Sequence, residues 1–377
     1  MGVGLVGCVA CGLAFSPGDY SESSPLPVVP DATALPDVAA PSEAGPIDGA
    51  VPSTRILLFA GRRDPVPGET GAVNVAETMR TTLSPSGELG AWSFDVPPPQ
   101  STSWSRASVS GDALLLQTQS AFLTATLAGD RIGSEWRTLA TRSLPESLMR
   151  PWIVEDAGLI VAGGQSSGSF TTNVFSAALL ADGGVDEWRA STSKLVKARG
   201  EVTLVRHGDL LYALGGRDSS LSTASGRDEV EVARFAADGT LGPFAATTSL
   251  VDPSADAASF RVFLPIVTAG AGHVFVLGGQ TTTSSSFMSD VAIAAKIDEA
   301  TGELGPWVAL PKLPAPMSGA AALVAESTIL LFGGSLGSTS SDDVLALSIQ
   351  PNGSFGTEWK RIGSLPGPRA GLAAVVY

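Results

Sequence analysis

Residues 274–279 read VFVLGG, and residues 301–307 read TGELGPW. The first is a short apolar run closed by two glycines. The second is a glycine-bearing turn that leads into a large aromatic residue. The same pair recurs along the chain. The apolar run returns as ILLFAG (56–61), LIVAGG (159–164), LLYALGG (210–216) and ILLFGG (329–334), with a weaker copy, ALLLQ, at 113–117. The turn returns as SGELGAW (86–92), GDRIGSEW (129–136), DGGVDEW (182–188), DGTLGPF (238–244) and NGSFGTEW (352–359). Self-similarity at a fixed period is the mark of a repeat architecture.

Between these two landmarks lies an alternating strand such as VEVARF (230–235). Before each apolar run lies another, such as ARGEVTLV (198–205), SGAAALV (318–324) or RAGLAAVVY (369–377). Four short strands per unit, with no helical period between them, predict an all-β fold. The apolar runs are expected innermost, because strands buried on both faces read as unbroken apolar stretches. The glycine pair is expected to allow close backbone approach and positive φ. The aromatics Trp92, Trp136, Trp188, Phe244, Trp307 and Trp359 are expected to fill wedges between adjacent sheets.

An apolar strand, a glycine pair and a spaced aromatic resemble the kelch repeat, a family of four-stranded propeller blades. The resemblance covers about residues 55–377. The second copy lacks its glycine pair, and the first carries Ala60-Gly61. It implies a six-bladed kelch-type β-propeller over residues 54–377, with RAGLAAVVY closing the ring against the first apolar strand. Closure would remove the free sheet edges that invite aggregation.

The N-terminal part differs in kind. Residues 1–15, MGVGLVGCVACGLAF, are apolar but too short to span a bilayer. Leu5-Val6-Gly7-Cys8 resembles the lipobox of bacterial lipoproteins, which implies lipidation of Cys8. A normal signal also carries a basic n-region, and here no Lys or Arg precedes Arg55, so the natural start is expected upstream. Residues 16–53 hold eight prolines and six acidic side chains without a basic one. Such a segment cannot bury enough apolar surface to offset its ordering entropy, so it reads as a disordered tether. An exported lipoprotein of the outer membrane, periplasm or cell surface is expected, with the membrane contacted only through the lipid.

The chain of 377 residues has 44% hydrophobic and 16% charged residues and a formal net charge of −14. That acidity repels phosphate backbones, so no nucleic-acid partner is expected. Cys8 and Cys11 are the cysteines, and His207 and His273 the histidines, too few for a structural zinc site or a disulfide framework. No metal and no cofactor is expected. Galactose oxidase, built on kelch-like blades, needs two tyrosines, two histidines and a crosslinked cysteine, a set that residues 54–377 do not hold. No nucleophile elbow or phosphate-cradling loop is expected.

Four arginines, Arg106, Arg150, Arg199 and Arg369, fall at or near the start of the strand that precedes an apolar run. The kelch resemblance places that position around the mouth of the central channel, beside the Ser/Thr-rich loops that follow the glycine pairs. Planar guanidinium forks there would suit carboxylates or sugar hydroxyls. Salt bridging between blades is the competing role. The expected function is a monomeric cell-envelope binding module for a protein or polysaccharide, with no catalytic centre read from the residues. The alternatives are a kelch-type sugar mutarotase acting on an acidic sugar, with Glu201 or Glu229 beside Arg199 or Arg227, and a purely structural scaffold. Function resides in the site and not in the fold, so the sequence leaves these open.

Overall fold

In a computed structural model, residues 53–377 are described apart from 66–68, 70, 119–120, 134, 140–157, 167, 179–184, 219–225, 257 and 282–287. Cys8, Cys11, Arg150 and the segment 1–52 lie outside the described residues. The described part is built of strands, with one short 3₁₀ turn at Pro253–Ala255.

Among the described residues, six antiparallel sheets follow one another along the chain as blades, besides two short two-stranded ones. Blade 2 orders Arg106–Ser110, Ala113–Gln117, Phe122–Ala128 and Arg137–Thr138. Blade 4 orders Thr203–His207, Leu210–Leu214, Val230–Arg234 and Ala245–Ala246. Blade 5 orders Ile266–Gly270, His273–Leu277, Ala292–Ile297 and Leu304–Ala309. Blade 6 orders Ala321–Ala325, Thr328–Phe332, Ser341–Ser348 and Lys360–Ala370. Blade 3 contributes Gly158–Ala162, Val174–Ala178 and Arg189–Ala190. In blade 1 the C-terminal strand Ala373–Val376 stands first, then Thr54–Phe59, Thr78–Leu83 and Ser93–Asp95.

Six apolar clusters show that the sheets close into a ring. Each cluster joins one blade to the next: Leu57 and Phe59 to Leu114 and Leu116, Leu115 to Leu159, Ile160 to Leu211, Tyr212 to Val274, Phe275 to Ile329, and Leu330 to Ile56. The C-terminal strand seals the circle by pairing Ile56↔Val376 through Phe59↔Ala373. The protein is therefore a six-bladed propeller closed by its own C-terminus. Blade 2, for all its departures in sequence, has its four strands in the common order, with Arg131–Ile132 also paired to Phe122–Ala128, which forms one continuous strand.

The aromatics sit where wedge-fillers should. Trp136 of blade 2 meets Phe59 of blade 1 edge-on at 5.8 Å, and Trp92 of blade 1 meets Phe332 of blade 6 at 6.4 Å. Trp307 of blade 5 donates its Nε1 proton to Thr248 O, which follows blade 4, at 3.1 Å. Trp359 of blade 6 donates to Pro311 O, beyond blade 5, at 2.9 Å.

The radial order of the strands corrects one expectation. In the five blades whose first strand is described, the apolar run is the second strand, and the strand preceding it is innermost. The reason is the small circumference near the axis. Inner strands such as AALVA (321–325) and AAVV (373–376) carry mostly small residues, because neighbouring blades approach closest there. Leu and Phe fit one strand further out, as in TILLF (328–332).

Candidate functional site in the central channel

Each described inner strand is preceded by a residue in the left-handed backbone region. These residues are Trp104 (φ 56°), Glu201 (53°), Leu264 (50°), Gly319 (64°) and Gly371 (67°). Each lies two positions before the strand, so they define equivalent points around one mouth of the channel. Trp104 N donates to Gly371 O at 2.9 Å, and Gly371 N donates to Gly319 O at 2.6 Å. The mouth is thus stitched from blade 2 through blade 1 to blade 6. The Trp104 ring follows the same path: a Cβ on Gly319 would lie 3.0 Å from its Cη2 atom.

The glycine pairs serve this stitching. The second glycine of one blade donates to the next: Gly164 N to Arg199 O at 2.9 Å, Gly216 N to Val262 O at 3.0 Å, Gly279 N to Met317 O at 2.9 Å, and Gly334 N to Arg369 O at 2.8 Å. The first glycine leaves no room for a side chain. A Cβ on Gly278 would lie 2.6 Å from Met317 O.

Below the mouth runs an axial cavity of about 360 Å³, walled by the inner strands of blades 1, 2, 4, 5 and 6. Most of its wall is Ala, Val, Leu, Ile and Gly. Among the described residues lining it, the charged ones are Arg106 and Arg206, both cations. Burial pushes the Arg106 guanidinium down to about 10, which leaves it a cation at neutral pH. Arg206 sits three positions further along its strand than the counterpart of Arg106, nearer the opposite mouth. Its Cζ lies 4.5 Å from the centre of the Phe235 ring, and its Nε donates to Gly208 O at 2.7 Å.

The arginines singled out from the sequence do not share one place. Arg106 lies two residues after its left-handed residue, whereas Arg199 and Arg369 lie two residues before theirs. Arg199 is fully buried. It donates to Gly215 O at 2.9 Å, Ala213 O at 3.2 Å and Lys197 O at 3.2 Å, and it pairs with Glu231. Glu231 in turn accepts from Val196 N at 2.7 Å and Lys197 N at 3.0 Å. Arg369 pairs with Glu77 at 2.5 Å. Both arginines are bound into ion pairs, Arg199 within blade 4 and Arg369, at the far end of the last strand of blade 6, with Glu77 of blade 1, and of the described three only Arg106 lines the cavity.

Sequence reading missed the residues directly after the glycine pairs. Arg217 and Gln280 bridge to Gly200 and Phe263, the residues just before the left-handed positions. Arg217 holds Glu201 at 2.8 Å, which places a cation and a carboxylate at the mouth. Their constant offset from the repeat could have revealed them. Glu229 pairs with Arg227 at 3.5 Å.

The remaining chemistry-bearing residues are occupied elsewhere. Tyr212 is buried and donates to Gly302 O at 2.9 Å. His207 Nε2 meets Glu299 Oε1 at 2.8 Å, and His273 stacks edge-on against Phe355 at 5.4 Å. Among the described residues no group of three His, Cys, Asp or Glu side chains is placed to hold a metal ion, and no helix is long and apolar enough to cross a membrane.

No protein-family model matches the chain, and no curated protein matches it. A solved structure titled "Structure of YjhT" is similar, with a TM-score of 0.52 and 13% identity, covering 72% of this chain and 87% of that one. At this identity the likeness speaks to the propeller fold alone.

Proposed function

We propose that this propeller is a kelch-type binding module of the cell envelope, anchored through Cys8, that takes a glycan into the loop-bearing mouth of its channel. One observation carries the reading. A cavity of about 360 Å³ lies on the axis, and among the described residues its charged lining is arginine, in a chain of net charge −14. That volume suits a sugar ring and not a folded protein domain. Arg106 supplies a planar fork for hydroxyl or carboxylate oxygens.

The test is a glycan screen on the full chain, followed by methyl NMR of the best ligand. Binding is expected to shift the methyl signals of Ala107, Ala322 and Ala374, which line the cavity. A ligand that shifts only loop signals, or a screen without a hit, overturns the reading. Metabolic labelling with a fatty acid, lost in Cys8→Ser, tests the anchor.

One feature favours sugar mutarotation as a second reading. Glu201 is buried, held by Arg217, and adopts positive φ at the mouth. Strained non-glycine backbone gathers at functional sites. NMR exchange between sugar anomers, abolished by Glu201→Gln, would support it.

A further inference from the structure

Blade 2 departs from the repeat at one end, and its departures converge on the channel. Its second strand ends in Gln117, where the other blades have Phe59, Ala162, Leu214, Leu277 and Phe332. Thr118 stands where four other blades have the first glycine of the pair. Its inner-strand segment is polar at two positions that are mostly apolar in the other described blades. Ser105 occupies the place of Val202, Pro265, Ala320 and Leu372 in blades 4, 5, 6 and 1, and Ser108 that of Val205, Thr268, Leu323 and Val375.

Both serines line the cavity, and neither Oγ has a hydrogen-bond partner among the described residues. Ser105 is 1% exposed. A buried hydroxyl without a partner costs stability, and the other described inner strands carry apolar side chains at both places except for Thr268 of blade 5. No described residue supplies the partners that these two hydroxyls need. A ligand that completes their hydrogen bonds accounts for them.

We infer that the inner strand of blade 2 is the specificity wall of the channel and seats the hydroxyl groups of a neutral pyranose ring. Ser105 and Ser108 both donate and accept, which matches sugar hydroxyls better than an anion, whose oxygens only accept. Trp104 lines the same wall at the mouth. Arg106 lies between the two serines in sequence and lines the cavity with them. The inference rests on the channel reading above and adds which wall and which ligand groups carry recognition.

The experiment compares the full chain with Ser105→Ala/Ser108→Ala, and with Ser318→Ala as control. Ser318 is another buried hydroxyl without a partner, but it does not line the cavity. The probes are the methyl glycosides of glucose, galactose and mannose, titrated calorimetrically. The double variant is expected to melt at or above the wild-type temperature and to bind the preferred glycoside roughly tenfold more weakly. The control is expected to bind as wild type. A double variant that melts lower and binds unchanged overturns the inference, since the hydroxyls would then serve the fold through water. So does failure of all three glycosides to bind. If the channel methyl signals respond while the double variant binds normally, the serine seat falls and the channel reading stands. If a glycoside binds without moving those signals, both fall.

Discussion

Arg199 is fully enclosed, and it illustrates how one side chain holds a propeller blade together. Its guanidinium caps the carbonyls of Ala213 and Gly215 and neutralises Glu231, which itself ties down the amides of Val196 and Lys197. Removing one member of a buried pair leaves the other charge without compensation, at a cost of about 3–5 kcal/mol. Arg199→Ala is therefore expected to lose about that much in urea denaturation. Arg199→Met combined with Glu231→Leu is expected to regain most of it; a double variant no more stable than the single one would refute the account. Gly278 makes the parallel case for the backbone. Its φ is 61°, and an added methyl would stand 2.6 Å from the Met317 carbonyl oxygen. Gly278→Ala is expected to cost about 2 kcal/mol or more, read from the same denaturation midpoint. At this scale the sequence was legible in part. The glycine pairs were recognisable because a backbone need leaves one residue type available. The arginines were not, because an arginine near a strand start can reach into its own blade or toward the axis. An offset of four residues separates Arg106 from the places of Arg199 and Arg369, and a pattern read without the left-handed residues does not reveal it.

At the scale of strands and blades, the wedge aromatics hold neighbouring sheets at their spacing. Trp307 is buried in the cluster that joins blade 4 to blade 5, and it also satisfies the Thr248 carbonyl. Trp307→Ala would open a cavity there and strand that acceptor. A loss of about 3–5 kcal/mol is expected, whereas Trp307→Phe would fill most of the space and is expected to cost less. Equal losses for the two would show that the hydrogen bond and not the packing dominates. The repeat was legible because periodic burial imposes periodic residues. The radial order of strands was not, since first and second strands both pack between blades and differ only in how much room the circumference leaves. Blade 2 is the instructive exception. Its weak match to the repeat reads as degeneracy, yet its hydrogen-bond ladder is regular. What changed is its channel-facing chemistry, and local departures from pattern are expected where function overrides packing.

The whole molecule depends on closure of the ring, because no blade buries both its faces alone. Closure is made twice. The last strand completes blade 1 against Thr54–Phe59, and the far end of Lys360–Ala370 pairs with Arg62–Arg63 through Ala370 and Arg369. A third tie joins Asp64 to the amide and hydroxyl of Ser340, at 2.8 and 2.7 Å. Deleting residues 369–377 removes the first closure and both register pairs of the second. It exposes one edge of Thr54–Phe59 and strips Leu372, Ala373 and Val375 from the clusters that flank blade 1. It also removes Arg369, leaving Glu77 without its partner and Gly334 N without its acceptor. The truncated chain is expected to lose its cooperative thermal transition in calorimetry and to associate through the freed edge. Adding the peptide 369–377 in trans is expected to restore part of the transition in proportion to its concentration, as binding to the native state requires. A truncated chain that melts cooperatively at the wild-type temperature, with no response to the peptide, would show that the remaining blades hold the ring without this strand.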